Sequence, residues 1–178
     1  MKQKIIFTIF AAITILFSAS CSDTNEDIIK YHKTATEAAE VCGIKAVEFI
    51  PEGYEVLSYK SVYGVVFEAE FAPYEKNRDA QSDMAQIAVF RIADAKHNVT
   101  NLSGFSNTVS SGIYSHIDGR EFEIMTRDGV YMCEWKEAFG EKECNISYTV
   151  FGNDMYANKD ALENYKTMLC ELLEHLNK

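Results

Sequence analysis

Five cysteines, four histidines and a surplus of carboxylates are the residues from which this chain could build chemistry. Cys42, Cys133, Cys144 and Cys170 form an even set. In an oxidising compartment they could close one or two disulfides, with three possible full pairings, and buried free thiols are the alternative. No pair has the Cys-x-x-Cys spacing of a redox centre or a zinc ribbon. His32, His97, His116 and His175 lie in no recognisable motif, and a solvated surface role is the default for each. Paired carboxylates can hydrolyse glycosides, and Glu68 with Glu70 and Glu121 with Glu123 have the right residue type. Both pairs, however, alternate with apolar residues, which is how the wet side of a half-exposed strand reads. Asp154, Asp160 and Glu163 are too scattered for a calcium loop. No catalytic residue, metal-ligand set or cofactor is expected.

The fifth cysteine, Cys21, stands apart from these four. Lys2 and Lys4 precede an apolar run from Ile5 to Phe17, and the run gives way to Ser18-Ala19-Ser20-Cys21. This is the layout of a secretory signal peptide with its cleavage site before a cysteine. Thirteen residues are too few for the roughly 20 that span a bilayer. The arrangement resembles the bacterial lipobox, in which the cysteine receives diacylglycerol and becomes the new N-terminus. Ser22-Asp23-Thr24-Asn25-Glu26-Asp27 then looks like the acidic export tag of Bacteroidota lipoproteins. The resemblance implies a lipid anchor in the outer membrane, with the surface-exposed side favoured over the periplasmic one.

Removal of residues 1–20 would take away two lysines and no acids, lowering the net charge from −10 to about −12. That balance argues against nucleic acid, whose phosphates are contacted mainly by Lys and Arg. It also argues against an electrostatic patch docked on anionic lipid. About 158 residues remain, one domain's worth with room for a real core.

Residues 21–33 read as an acidic and polar tether, and 34–178 as a single α+β domain. Thr34-Ala35-Thr36-Glu37 has the form of a capping box, and Ala35, Ala38, Ala39 and Cys42 share one helical face ahead of Gly43. Strands are expected over Tyr54–Val62, Val65–Phe71 and Ala85–Ile92, with an irregular connection over Ala93–Ser110. Asp118-Gly119 and Asp128-Gly129 are both type I′ hairpin signals. The first turn pairs Ile117 with Arg120, Ser115 with Phe122 and Ile113 with Ile124. The second pairs Thr126 with Tyr131, Ile124 with Cys133 and Phe122 with Trp135. Both registers put Ile113, Phe122, Ile124, Tyr131, Cys133 and Trp135 on one face, as a buried sheet surface requires.

A last strand, Cys144–Phe151, brings Cys144 to the face that Cys133 occupies. A four-residue loop would set the two directly opposite, and a longer one would set them on the diagonal. Leu162, Tyr165, Leu169, Leu172 and Leu176 then repeat at helical spacing. Cys170 lies off that stripe, where a short helix carrying Cys42 could meet it. Trp135, Tyr131 and Tyr148 could form a sugar platform but alternate onto the buried side, so core packing is the expectation. Tyr54, Tyr59, Tyr63 and Tyr74 are freer. The fold expected is an antiparallel β-meander sheet of about six or seven strands, packed against a C-terminal helix, with a short N-terminal helix.

Phe49-Ile50-Pro51-Glu52-Gly53-Tyr54, Ile117-Asp118-Gly119, Trp135 and Tyr148-Thr149-Val150-Phe151-Gly152 together resemble an uncharacterised extracytoplasmic domain family. It occurs in bacterial lipoproteins and looks distantly like the lipoprotein-carrier and sigma-regulator half-barrel. The resemblance spans about residues 34–174 and departs at the longer hairpin Lys136–Glu143 and the added cysteines. It carries no catalytic residues to transfer. The expectation is a lipid-anchored envelope lipoprotein that binds or senses without catalysis, with its ligand or protein partner unknown. A surface hydrolase acting on polymer and a structural subunit of an envelope assembly are the alternatives.

Overall fold

Strand-forming alternation dominates the chain, and a computed structural model resolves its described residues into one antiparallel sheet of eight strands with two helices. It describes residues 28–74, 87–104, 111–127, 129–151 and 159–177. The signal segment, Cys21, the acidic run and Asp154 lie outside that set. In chain order the elements are β1 (Ile29–His32), α1 (Ala35–Cys42), β2 (Tyr54–Val62), β3 (Val66–Pro73) and β4 (Ile87–Asp94). A 3-10 turn, Ala95–His97, leads on to β5 (Ser111–Ile117), β6 (Arg120–Arg127), β7 (Val130–Phe139), β8 (Lys142–Phe151) and α2 (Lys159–Leu176).

The strand order is β1-β2-β3-β4-β8-β7-β6-β5. β1 to β4 and β5 to β8 are thus two sequential runs that meet where β4 pairs with β8. The eighth strand, absent from the sequence expectation of six or seven, is β1. Its residues lie in the stretch whose composition reads as tether, yet they pair with Tyr59–Val62 of β2 and bring the domain's start forward to Ile29. No alternation marks it because four residues at a sheet edge need bury little.

The first hairpin forms as read. Asp118 and Gly119 take φ of 50° and 73°, the doubly positive pair of a type I′ turn, and every pairing expected of β5 with β6 is made. The second holds at Thr126–Tyr131, but its ladder runs no further than Met125–Met132. Beyond that point the contact is through side chains, with Phe122 and Trp135 edge to face at 5.5 Å.

One face of the sheet carries the main core. Phe67, Phe71, Phe90, Ile92, Ile124, Ile146 and Tyr148 pack there beneath α1 and α2. Thr34 caps α1 by accepting from the Glu37 amide, the Glu37 carboxylate accepts from the Lys33 amide, and Gly43 ends the helix at φ 64°. On α2, Tyr165, Leu169, Leu172 and Leu176 are buried as their spacing requires, joined by Met168 and Leu173. Tyr165 stacks between Tyr131 and Tyr148 at 5.9 Å from each, and its hydroxyl donates to the Tyr148 carbonyl at 2.9 Å.

Candidate functional site

The opposite face was expected to be wet, yet much of it is buried and charged. Cross-strand pairing aligns Tyr31, Lys60, Glu68, Arg91, Ser147 and Glu134 as one row over six strands, from β1 to β7. Directly opposed side chains on one face lie about 5 Å apart, so residues in such a row must interact. Lys60 Nζ contacts Glu68 Oε1 at 2.9 Å and Glu70 Oε1 at 2.6 Å, and Arg91 Nε donates to Glu68 Oε2 at 2.6 Å. Ser58 Oγ donates to the remaining Glu70 oxygen at 2.6 Å. The Lys60, Glu68 and Arg91 side chains are only 11, 8 and 9% exposed. The expectation of a solvated Glu68–Glu70 pair is therefore corrected, whereas Glu121 and Glu123 are exposed as read. Period-2 alternation cannot separate a wet face from one covered by a later segment.

That covering segment is the connection from β4 to β5. It leaves β4 for a strand at the far edge of the sheet, and its described part runs to Gly104. Ser103 is where it is fastened. Its carbonyl accepts from Arg91 Nη1 at 2.7 Å, and its amide donates to Glu134 Oε1 at 2.5 Å. Arg91 and Glu134 flank Ser147 on β4 and β7, so the Ser103 peptide is clamped above β8. Leu102 adds an apolar contact with Val62, Val66 and Ala93, and Val65 and Val99 pack beside them.

Two cations and two carboxylates make the Lys60–Glu68–Glu70–Arg91 cluster neutral within itself. Burial alone would raise the Glu68 carboxyl, but the Arg91 and Lys60 charges outweigh it and hold the group below its ordinary value. Burial would likewise lower the Lys60 ammonium, and its bonds to Glu70 and Glu68 raise it instead. A carboxylate held ionised between two cations is a poor proton donor near neutrality. What the cluster can do is fix strand positions and hold the strap. Ser147 Oγ and Thr149 Oγ1, buried on the same face of β8, have no hydrogen-bond partner among the described residues.

The chain matches no family model, no curated protein and no solved structure. Whatever site it has must be read from its own residues.

All four domain cysteines are free thiols, three buried and Cys170 partly so. The turn between β7 and β8 is two residues, Gly140-Glu141, which sets Cys133 opposite Tyr148 and Cys144 opposite Glu137. The two cysteines share a face but stand four ladder positions apart. That is about 13 Å along the strand, whereas a disulfide needs Cα atoms within about 7 Å. The Cys133–Cys144 pairing is not made in this register. α1 packs on β1, β2 and β3, and α2 packs on β5 and β7, so Cys42 and Cys170 ride on helices over different halves of the sheet. Burial pushes the Cys42 and Cys133 thiols up to about 12, the state of inert core residues rather than nucleophiles.

The histidines are dispersed as expected, although His32 belongs to β1 and meets Ser61 Oγ at 2.9 Å. His116 stands 3.7 Å from exposed Glu121, and His175 packs edge to face on Phe49. Tyr131 and Tyr148 are core residues, as alternation indicated, and half-buried Trp135 donates to Glu137 Oε2 at 3.0 Å. Of the freer tyrosines, Tyr54 is buried, while Tyr63 and Tyr74 are exposed. Asp94 holds a separate corner: its carboxylate accepts from the Lys96 amide at 3.0 Å and faces the Lys96 and Lys142 ammonium groups at 2.9 and 3.4 Å. The bonds from Lys96 hold its pKa down to about 2. Lys142 Nζ also donates to the Gly43 carbonyl, tying the end of α1 to β8. Among the described residues no group of His, Cys, Asp and Glu is placed to hold a metal ion.

Proposed function

We propose that this chain is an envelope lipoprotein, anchored through diacylglycerol on Cys21, whose domain binds or senses rather than catalyses. The observation that carries the reading is the order of residues at the N-terminus: Lys2 and Lys4, the apolar run to Phe17, then Ser18-Ala19-Ser20-Cys21. Support for a non-catalytic domain comes from how its reactive groups are used. The buried acids and bases of the second face neutralise one another, and burial suppresses thiolate at Cys42 and Cys133. Placement in the outer membrane, facing the surface, rests on the acidic run after Cys21. Membership of the uncharacterised extracytoplasmic family rests on Pro51-Glu52-Gly53-Tyr54 and Tyr148-Thr149-Val150-Phe151.

The test is Cys21→Ala in cells grown with a labelled fatty acid. The wild type is expected to carry label and pellet with membranes, and the variant to do neither. A variant that still partitions into membranes would sink the proposal of lipid anchoring.

A further inference from the structure

We infer that the β1 edge of the sheet is a lipid-facing surface, laid against the bilayer to which Cys21 tethers the domain; this rests on the anchoring reading above. Ile28, Ile29 and Tyr31 are 53, 48 and 72% exposed, and Tyr63 is 43% exposed. Single exposed hydrophobes are ordinary on any protein surface, but adjoining ones are not. These four adjoin. The Tyr63 amide donates to the Ile28 carbonyl at 2.7 Å, Ile29 stands opposite Val62 at the foot of that turn, and Tyr31 stands opposite Lys60. The remaining exposed large hydrophobes are spread over α1 (Val41), β2 (Leu57), β4 (Ile87), β5 (Tyr114) and the connections at Ile50 and Tyr74, and none of them pairs with β1.

Charge selects the same edge. Residues 23–27 carry three acids, whereas Ile28-Ile29-Lys30-Tyr31-His32-Lys33 carries none and has two exposed lysines. In a chain of net charge −10 this is a local exception. Isoleucines flanked by tyrosine and lysine suit a membrane interface. The aliphatic groups enter the acyl boundary, while the phenol and the ammonium groups stay at headgroup depth.

Chain length supplies the occupant. Six residues separate Cys21 from Ile28, and the seven residue spacings between them span at most about 25 Å when extended. A diacylated Cys21 therefore keeps Ile28 within that distance of the bilayer whatever the domain's orientation. The far edge, β5 with Tyr114, lies seven strand spacings further, about 33 Å. Contact does not depend on anionic lipid, which the chain's overall charge would repel.

The experiment places a tryptophan at either edge of the full lipidated protein, Tyr31→Trp or Tyr114→Trp, each with Trp135→Phe. The proteins are reconstituted in phosphatidylcholine vesicles whose acyl chains are brominated near the headgroup. Emission from position 31 is expected to shift to the blue and be quenched, and emission from position 114 to do neither. Equal quenching at both positions, or at neither, with protein still vesicle-bound would overturn the inference and leave the anchor standing. Protein that does not stay on vesicles overturns the anchor, and this inference with it. A change at position 31 that follows protein concentration rather than lipid would instead assign the edge to a second copy. If Trp135→Phe does not fold, hydrogen exchange on the unsubstituted protein decides. The β1 amides should gain protection on vesicles and those of β5 should not; no gain at β1 refutes the proposal.

Discussion

Glu68→Gln removes the one carboxylate shared by two buried cations, with almost no change of shape. Its oxygens lie 2.6 Å from Arg91 Nε and 2.9 Å from Lys60 Nζ. At an effective dielectric of about 20, each contact is worth roughly 6 kcal/mol of attraction, much of which offsets the cost of burying the charges. Removing one member leaves Arg91 buried without its partner, and breaking a buried pair in this way costs about 3–5 kcal/mol. For a domain of this size that is a fall of about 10 °C in Tm. Urea unfolding followed by circular dichroism would read it. A loss below about 1 kcal/mol would show that solvent screens the row and would refute the account of the second face. Replacing Lys60, Glu68 and Arg91 together by apolar residues of similar volume should cost much less than Glu68→Gln alone. The row also sets a pH dependence. Because the Glu68 pKa is lower folded than unfolded, its contribution is fully present above the ordinary value near 4.5 and is lost as the pH falls below it. Glu68→Gln should therefore flatten the acid limb of the stability curve.

Glu134→Ala removes the acceptor that holds the Ser103 amide. It should loosen the strap by about 1 kcal/mol, read as faster hydrogen exchange at Leu102 and Ser103 with β5 and β6 unaffected; unchanged exchange would refute the clamp. Iodoacetamide at pH 8 should modify Cys170 before Cys42, Cys133 or Cys144, and all four only in denaturant. Rapid native labelling of Cys133, or a Cys133–Cys144 bridge in a non-reducing peptide map, would contradict the β7–β8 register. Tyr165→Phe deletes a buried hydroxyl that donates to the Tyr148 carbonyl and should cost about 1 kcal/mol in urea unfolding, and an unmoved midpoint would count against that bond.

Turn chemistry made much of the second half legible. Asp118-Gly119 admits few backbone conformations, and fixing the turn fixes the register of β5 on β6. β2 was legible from end to end because Pro51-Glu52-Gly53 marks its start and β-branched and aromatic residues fill it. Glu68 was misread because an acid alternating with phenylalanine looks the same under solvent as under a strap. What distinguishes the two is Arg91, which meets Glu68 only once β4 has paired with β3, and Ser103, which the start of the β4–β5 connection brings to Arg91 and Glu134. The cysteines show the same limit. Their shared face followed from alternation, but their distance apart depended on a loop whose length no residue type dictates.

The strand order has a consequence for how the molecule assembles. Within β1–β4 and within β5–β8 each strand pairs with its neighbour in sequence, so both runs can zip up from local hairpins. The seam cannot, because Asp94 meets Cys144 only across the whole second run. Closing so long a loop carries an entropic cost that the hairpins avoid, which makes seam closure the slow event. Until it happens β4 and β8 are open edges, β4 apolar on both faces and β8 apolar on the face of Ile146, Tyr148 and Val150. The folding chain would be most prone to aggregate at this stage, with two finished halves and no join.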